Sequence, residues 1–491
     1  MTAAEPPLRG SFASNIGGVA WTAAMVFAFT PLFIRRLGIE GYGVIGFYVA
    51  LQALLQVLDF GFAPTINRWL SRYSAGHEEP QRARDFAKTL EIGSWGVAIV
   101  VGALLVALSG TVARVWLGGA ALRGALMLMA VTIVAQLPTT YYQSALLGLR
   151  RPMLMNVLKA AAATAANGGA AAIMILYLPS VEAYFGVQAG VAIVHALILR
   201  TAFWRTLSAP GAEPGRFRPD ALRVAWRFTA GMTAITICAA LVAQADRMIL
   251  SGLVPLDEFG YYSVAWMIAS GLAVVSLPAL NTFFPRFSGL FASGDEAALR
   301  KGYHDAASLL STLLLPLAAV VVSFAAPLVA AWTGNVAVAG KAAPIAALLT
   351  IGMAVNGLMI PLYALQLAAG ATRLALQLTI AQIAVIAPLV TLLALRYGAP
   401  GAAFAWPTMS LLYFIAGSIV TFRRLLPHAG RAWLLRDVAA PLVPAVVCAA
   451  AARALLPLPA SRIAVLAVIG VVFLGTLAVT AVASRAAAAN L

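Results

Sequence analysis

Charged side chains are scarce in this sequence. Asp, Glu, Lys and Arg make up 10% of its 491 residues, whereas a soluble domain carries about 25%. Acidic residues are the scarcer kind, with 17 against 33 basic ones, and 62% of all residues are apolar. These proportions exclude a soluble enzyme. In so apolar a chain the net charge of +16 indicates membrane topology rather than nucleic-acid binding, so we expect no nucleic acid among its partners.

Cysteine and catalytic motifs are also lacking. The two cysteines, Cys238 and Cys448, lie far apart in apolar stretches, which speaks against a disulfide framework or a cysteine-based metal site. The four histidines lack the spacing of a metal site. The nearest string to a phosphate-binding loop, Gly334 to Lys341, has the wrong spacing. We therefore expect a protein that is not an enzyme and that uses no metal and no cofactor.

Long apolar runs dominate the sequence. A membrane-spanning helix needs about 20 predominantly apolar residues, and fourteen runs qualify, separated by glycine and proline residues. They extend from 12 to 34, 42 to 64, 88 to 109, 124 to 147, 154 to 178, 184 to 203, 228 to 252, 260 to 284, 307 to 331, 344 to 368, 374 to 396, 401 to 422, 438 to 456 and 462 to 484. The sequence predicts an all-α polytopic membrane protein with about 14 transmembrane helices.

The positions of the basic residues predict the orientation. Lys and Arg resist translocation and stay on the cytoplasmic side. If the N-terminus is cytoplasmic, most of the 33 basic residues fall on that side, while Arg247 is assigned to neither side because it lies within the seventh span. We expect a multi-pass membrane protein with both termini in the cytoplasm.

Two parts of the chain resemble each other six spans apart. Glu40 to Gly43 (EGYG) corresponds to Asp257 to Gly260 (DEFG), and Gln143 to Arg151 (QSALLGLRR) corresponds to Gln366 to Arg373 (QLAAGATR). A repeat after an even number of spans is parallel, as in transporters built from two similar halves. The predicted domains are a six-helix lobe at 1–203, a cytoplasmic linker and interfacial helix at 204–227, a second six-helix lobe at 228–422 and two additional helices at 423–491.

The linker itself has two parts. Its first part is rich in proline and glycine between Pro210 and Pro219, which predicts flexibility. Its second part, Asp220 to Arg227 (DALRVAWR), alternates apolar and basic residues, as an interfacial helix or the positive flank of the seventh span would.

Ionisable residues inside spans are candidates for function. Each costs about 2.5 to 3.5 kcal/mol at the centre of a membrane helix. Asp59 in the second span and Asp246 with Arg247 in the seventh are in this class. Adjacent helix residues do not face each other, so Asp246 and Arg247 need partners on other helices or water. The alternative is a buried or snorkelling group that only fixes packing.

Further candidates could line a polar cavity. Arg35 and Arg36 follow the first span and Arg68 follows the second. The guanidinium fork matches phosphate oxygens, although such arginines also serve as ordinary membrane anchors. Side-chain amides within spans recognise sugars or join helices, the second role being the commoner. The candidate amides are Asn15, Gln136, Asn281, Asn356 and Gln366.

Several short motifs occur in an order that resembles a known family. They are Leu37 to Gly43 (LGIEGYG), Leu58 to Gly61 (LDFG) followed by Arg68, Ala245 to Arg247 (ADR) before Phe259 to Tyr262 (FGYY), and Gly398 to Ala403 (GAPGAA). In this order the chain resembles the polysaccharide (O-antigen type) flippases of the multidrug/oligosaccharidyl-lipid/polysaccharide exporter superfamily. The resemblance covers nearly the whole chain, including the fourteen spans, where drug-extruding relatives usually have twelve.

This resemblance implies a MATE-like fold, in which two six-helix lobes form a V around a central cavity. It implies that the protein moves an undecaprenyl-pyrophosphate-linked oligosaccharide to the periplasmic leaflet by alternating access, for O-antigen, capsule or exopolysaccharide assembly. A polysaccharide polymerase and glycosyltransferases would be its protein partners. In such a cavity Arg247 would contact pyrophosphate or an acidic sugar, and Asp59 and Asp246 would couple an ion or pair with a cation.

Two other functions fit parts of the sequence. A drug or organic-cation antiporter of the same superfamily would need an acidic, aromatic cavity, whereas this chain places Arg247 inside a span. A membrane-embedded glycan-modifying enzyme would need a large outer loop with catalytic groups, and the predicted outer loops are short.

Overall fold

The computed structural model describes residues 8–59, 61–116, 122–208, 213–220 and 240–489, and these residues form helices and connecting turns without a strand. The helices of the first half are α1 Leu8–Leu55, α2 Phe62–Ser74, α3 Pro80–Thr111, α4 Arg123–Gly148, α5 Pro152–Leu176 and α6 Val181–Leu207. Those that follow are α7 240–253, α8 Leu256–Ala269, α9 Ala273–Ser293, α10 Glu296–Ser323, α11 Ala325–Thr333 and α12 Val336–Gly357. The last are α13 Ile360–Ala368, α14 Thr372–Leu425, α15 Ala429–Ala432, α16 Ala440–Leu455 and α17 Arg462–Ala489.

Eleven helical stretches among the described residues are long and apolar enough to cross a membrane. Two of them, α1 and α14, each contain two of the predicted spans. The seventh predicted span, 228–252, includes α7, while its residues up to 239 lie outside the described part. The prediction of an all-α polytopic membrane protein is confirmed.

Glycine residues divide the two long helices. Gly38 in α1 has φ 75° and ψ 176°, and Gly398 in α14 has φ 64° and ψ −148°. Both conformations lie in a region that only glycine occupies readily. After Gly398 the carboxylate of Glu258 accepts a hydrogen bond from the Ala399 backbone N–H at 3.2 Å. These breaks separate spans 1 and 2 and spans 11 and 12.

Other breaks fall inside predicted spans, which corrects those boundaries. The second span was predicted as one helix over 42–64, but α1 ends at Leu55 and α2 begins at Phe62. Spans 9 and 10 are likewise interrupted, between α10 and α11 and between α12 and α13. In each case a proline lies in the first turn of the next helix, where its missing N–H costs nothing. These prolines are Pro64, Pro327 and Pro361.

The chain forms two compact units, Met1–Gln244 and Ala245–Leu491. The core of the first unit joins α2, α3, α4 and α6 through large buried side chains that include Leu70, Tyr141 and Phe203. The core of the second joins α9, α10, α13 and the end of α14. The helices α16 and α17 pack against α10 and α11 of the same unit. The lobe limits at 203, 228 and 422 remain predictions.

Helices α4 and α13 end in the same type of turn. The Arg151 N–H donates to the Leu146 carbonyl at 2.9 Å, and the Ala371 N–H donates to the Gln366 carbonyl at 2.8 Å. The residue before each donor has positive φ, at Arg150 and Gly370. This pattern is a Schellman cap. It shows that Gln366 occupies the turn position of Leu146 and not that of Gln143, so the second predicted correspondence is shifted by three residues.

The described part of the linker is docked on α3. The Arg216 N–H donates to Asp85 Oδ1 and the Arg218 N–H donates to Thr89 Oγ1, each at 2.9 Å. The Arg218 guanidinium also forms an ion pair with Asp85 at 3.3 Å. We name residues 213–218 the strap. This stretch falls in the linker part predicted to be flexible, but its backbone donors bind buried α3 side chains. The predicted interfacial helix lies outside the described residues beyond Asp220.

We predict that Gly398→Ala lowers the thermal unfolding midpoint of the purified protein in detergent. The glycine-specific backbone conformation costs a side chain about 1 to 3 kcal/mol, and an added Cβ would lie 2.6 Å from Glu258 Oε2. Gly96→Ala is the matched control, because Gly96 is helical and an added Cβ meets nothing within 4 Å. The control should keep or slightly raise the midpoint. Unfolding is monitored by circular dichroism, and equal midpoints for the two variants would contradict the prediction.

Candidate functional site

Two buried charges of the second unit are neighbours on α7. Asp246 is fully buried and Arg247 is 3% exposed. Asp246 Oδ2 accepts hydrogen bonds from the Tyr262 hydroxyl (2.5 Å) and from Trp406 Nε1 (2.7 Å). The Arg247 guanidinium lies over the Trp266 ring, 3.6 Å from its centroid. We name these five residues the α7 cluster.

The α7 cluster stabilises its two charges in different ways. Two polar donors stabilise the Asp246 carboxylate, while the face of an indole ring attracts the Arg247 guanidinium, by about 2 kcal/mol where both are desolvated. The second carboxylate oxygen, Asp246 Oδ1, is buried and accepts no hydrogen bond within the described structure. This leaves one acceptor position at which a proton or a small cation can bind.

The first unit contains a cluster of neutral polar groups. Gln136 Oε1 on α4 accepts hydrogen bonds from the Tyr48 hydroxyl (3.1 Å) and from Gln52 Nε2, both on α1. Gln136 is half-buried. The predicted amide candidate therefore joins two helices, and its own amide nitrogen is not used in these bonds.

Asp59 lies at the break between α1 and α2. Its Oδ2 accepts a hydrogen bond from the Ala63 backbone N–H in the first turn of α2, at 2.9 Å. A carboxylate in this position caps a helix N-terminus and complements its dipole. Asp59 Oδ1 is buried and accepts no hydrogen bond from the residues that the structure describes.

The remaining predicted site residues differ in their exposure. Arg35, Arg36 and Arg68 of the first unit and Asn281 of the second are exposed, and Asn356 is half-buried. Gln366 is fully buried, and its Nε2 donates to Thr421 Oγ1 at 2.7 Å. Asn15 belongs to α1, but its side chain lies outside the described structure. Within the described residues, no three His, Cys, Asp or Glu side chains are grouped to hold a metal ion.

Glu91 is a buried charge that sequence reasoning missed. It is 2% exposed on α3. Its Oε1 accepts hydrogen bonds from Tyr142 (2.7 Å), Arg200 (2.8 Å) and Trp204 (3.0 Å), and its Oε2 accepts one from Lys88 (2.8 Å). One carboxylate thus connects α3, α4 and α6. Its position inside the predicted third span, 88–109, was the signal that could have identified it.

The aromatic partners of the α7 cluster were also missed as site residues. Tyr262 belongs to the FGYY motif, which gave a signal in the sequence. Trp266 follows one helical turn later, and Trp406 is far away along the chain. No sequence pattern pairs Trp406 with Asp246, because that contact depends on how α7 and α14 pack.

Solved structures share this fold. The lipid II flippase MurJ in an inward closed conformation has a TM-score of 0.71 and 11% identity, covering 94% of this chain and 98% of its own. An inward-facing multidrug resistance MATE family transporter of the MOP superfamily has a TM-score of 0.63 and 12% identity, and the match covers 82% of this chain and 95% of that one. A mutant of the Vibrio cholerae MATE transporter VcmN has a TM-score of 0.56 and 13% identity, and the match covers 86% of this chain and 99% of that one. The fold is that of MOP superfamily transporters.

The sequence comparison identifies the family. Residues 8–291, more than half of the chain, match the family described as polysaccharide biosynthesis protein. A comparison with curated proteins finds no match. The chain belongs to the polysaccharide biosynthesis protein family, as the motif resemblance predicted, and it shares its fold with the solved transporters.

We predict that Glu91→Gln destabilises the protein. The amide cannot accept all four hydrogen bonds as a carboxylate does, and the two cations lose their charged partner; loss of a charged hydrogen bond costs about 2 kcal/mol. Glu213→Gln is the control, because its ion pair with Arg216 is exposed and such pairs contribute little. Thermal unfolding in detergent should show a lower midpoint for Glu91→Gln alone. Identical midpoints would contradict a stabilising role of Glu91.

Proposed function

We propose that this protein flips an undecaprenyl-pyrophosphate-linked oligosaccharide across the bacterial inner membrane by alternating access. The family match carries the proposal, because it links the chain to polysaccharide biosynthesis while the described residues consist of membrane helices. A polysaccharide assembled outside the membrane requires its hydrophilic precursor to cross the bilayer. A transporter fold provides such a passage, whereas the described chain contains no soluble catalytic domain.

The fold of the lipid II flippase supports the same substrate class. That protein is described as a flippase of a lipid, and its fold covers 94% of this chain. A lipid-linked sugar has a polar head and an apolar tail, so the head needs a protected path and the tail can remain in the bilayer. The substrate would serve O-antigen, capsule or exopolysaccharide assembly, together with a polymerase and glycosyltransferases.

The site residues divide into two proposed roles. Arg35, Arg36 and Arg68 are exposed, so we propose them as contacts for an anionic head group. We propose the partly exposed amides Gln136 and Asn356, with Asn15 and Asn281, as sugar contacts. Arg247, Asp246 and Gln366 have little or no free surface in this conformation, and Asp59 is half-buried. We propose that Asp246 and Asp59 couple an ion or pair with a cation, and that Arg247 and Gln366 reach substrate only in another conformation.

The antiporter of drugs or organic cations is the second candidate. Multidrug transporters share the fold, and the aromatic rings of the α7 cluster could face a cation. Arg247 opposes this function, because its charge lies among these rings. Resistance to cationic drugs in expressing cells would favour the antiporter.

Complementation tests the flippase function. The gene replaces a flippase in a deletion strain supplied with candidate lipid-linked glycans, and surface polysaccharide is measured at matched amounts of membrane protein. We expect wild type to restore polymer. Arg247→Ala should lose at least nine-tenths of it, because the variant lacks the guanidinium that we propose contacts the anionic head group of the substrate. Asp59→Ala should lower it less, because Asp59 bonds one backbone amide.

The controls separate the function from the assignment of residues. Arg396→Ala removes an exposed arginine and should leave polymer unchanged, while Arg247→Lys tests whether charge without the planar stack suffices. If wild type restores polymer and none of these variants lowers it, the flippase function stands and Arg247 and Asp59 are rejected as functional residues. Failure of wild type with every glycan supplied, combined with drug resistance, would reject the flippase.

A further inference from the structure

A cavity of about 610 Å³ lies in the second unit, outside the α7 cluster. One wall is the first part of α10, and the other is the π-helical turn Trp433–Ala439 between α15 and α16. Its lining side chains are almost all ionisable: Glu296, Ala297, Arg300, Lys301, His304, Asp305 and Arg436. A cavity of this size holds a small polar molecule or the head group of a lipid.

A nearly buried histidine forms part of this cavity. His304 is 7% exposed, and its Nδ1 lies 2.5 Å from Oδ2 of the fully buried Asp437. A carboxylate partner fixes the orientation of an imidazole ring. The contact uses Nδ1, so Nε2 is the ring nitrogen available to a ligand in the cavity.

The ion pairs around the cavity leave an excess of positive charge. Each nearby carboxylate has an arginine within 4.0 Å. The pairs are Glu296 with Arg300 (3.4 Å), Asp305 with Arg286 (3.8 Å) and Asp437 with Arg436 (3.8 Å). Lys301 is exposed and forms no ion pair among the described residues. Lys301 and the Nε2 nitrogen of His304 therefore remain for a ligand.

The π-helical turn carries exposed apolar side chains just before Arg436. Trp433 of the π-helical turn is 2% exposed, whereas the next residues, Leu434 and Leu435, are 45% and 54% exposed. They precede Arg436, which lines the cavity. A segment with exposed leucines beside arginines is typical of a membrane interface, where acyl chains meet charged head groups. The segment also lies among basic residues, which by the positive-inside rule stay near the cytoplasmic surface.

We propose that this cavity binds a phosphate group at the membrane surface, through Lys301 and His304 with Arg300 and Arg436 beside them. Phosphate suits the lining because it accepts several hydrogen bonds from Lys and Arg side chains and from an imidazole N–H at once. The exposed leucines favour the phosphate of an anionic phospholipid, such as phosphatidylglycerol, over free phosphate. The site belongs to the second unit by itself and does not depend on the proposed flippase function.

The test is binding of short-chain lipids to the full-length protein in a nonionic detergent, measured by native mass spectrometry. Dioctanoyl phosphatidylglycerol is titrated, dioctanoylglycerol supplies the same tails without phosphate, and inorganic phosphate is added as competitor. We expect the phosphate-bearing lipid to bind and the diacylglycerol to bind at least tenfold more weakly. Lys301→Gln should weaken phosphatidylglycerol binding about fivefold, since one basic residue near a lipid phosphate contributes about a factor of five.

Two further variants keep the result interpretable. Lys301→Arg retains the charge and should restore binding. Arg431→Gln removes an exposed arginine of α15 that does not line the cavity, so it should bind like wild type. Competition by inorganic phosphate at equal concentration would support the phosphate site and identify the free anion as its ligand. Equal affinities of Lys301→Gln and Arg431→Gln, or equal binding of the lipid and the diacylglycerol, would overturn the proposal.

Discussion

The interior of a bilayer offers no water to a buried charge, so each charge inside a unit must be satisfied by groups of that unit. Glu91 and Asp246 show what this requires. Glu91 takes donors from α3, α4 and α6, and Asp246 takes donors from α8 and α14. Each charge is stable only if these helices keep their positions. A buried carboxylate thus fixes packing between helices whose surfaces are otherwise apolar and weakly specific.

Much of the fold followed from local features of the sequence. Apolar runs located the spans, and Gly38 and Gly398 marked the breaks in α1 and α14, because these features act on the residues that carry them. The interruptions before Pro64 and Pro361 were not placed, since a proline inside an apolar run either kinks a helix or begins a new one, and packing decides between the two. The partners of Asp246 could not be predicted for a similar reason: Trp406 approaches it only after the helices assemble.

The two halves of the internal repeat share backbone conformation more closely than they share side-chain chemistry. The turns after α4 and α13 use the same hydrogen bonds, although one has Arg150 and the other Gly370 at the residue with positive φ. A second similarity is the segment that comes after the sixth span of each half. The strap binds α3 through Asp85, and the segment that contains Asp437 binds α10 through His304. Both segments fold back on the third span of their own unit, with different donors and acceptors.

This difference in chemistry limits what each unit can do. In the internal repeat, Glu40 of the first unit corresponds to Asp257 of the second. Counting back the same number of residues from each gives Phe29 and Asp246, so the first unit has an aromatic ring where the second has a carboxylate. Phe29 stacks with Phe33 and cannot exchange a proton or hold a cation through a carboxylate. The first unit instead joins α1 and α4 through neutral amides at Gln136. Of the two repeat positions compared, only Asp246 on α7 provides a carboxylate for the ion coupling that we propose, even though the two units share their turns and their order of spans.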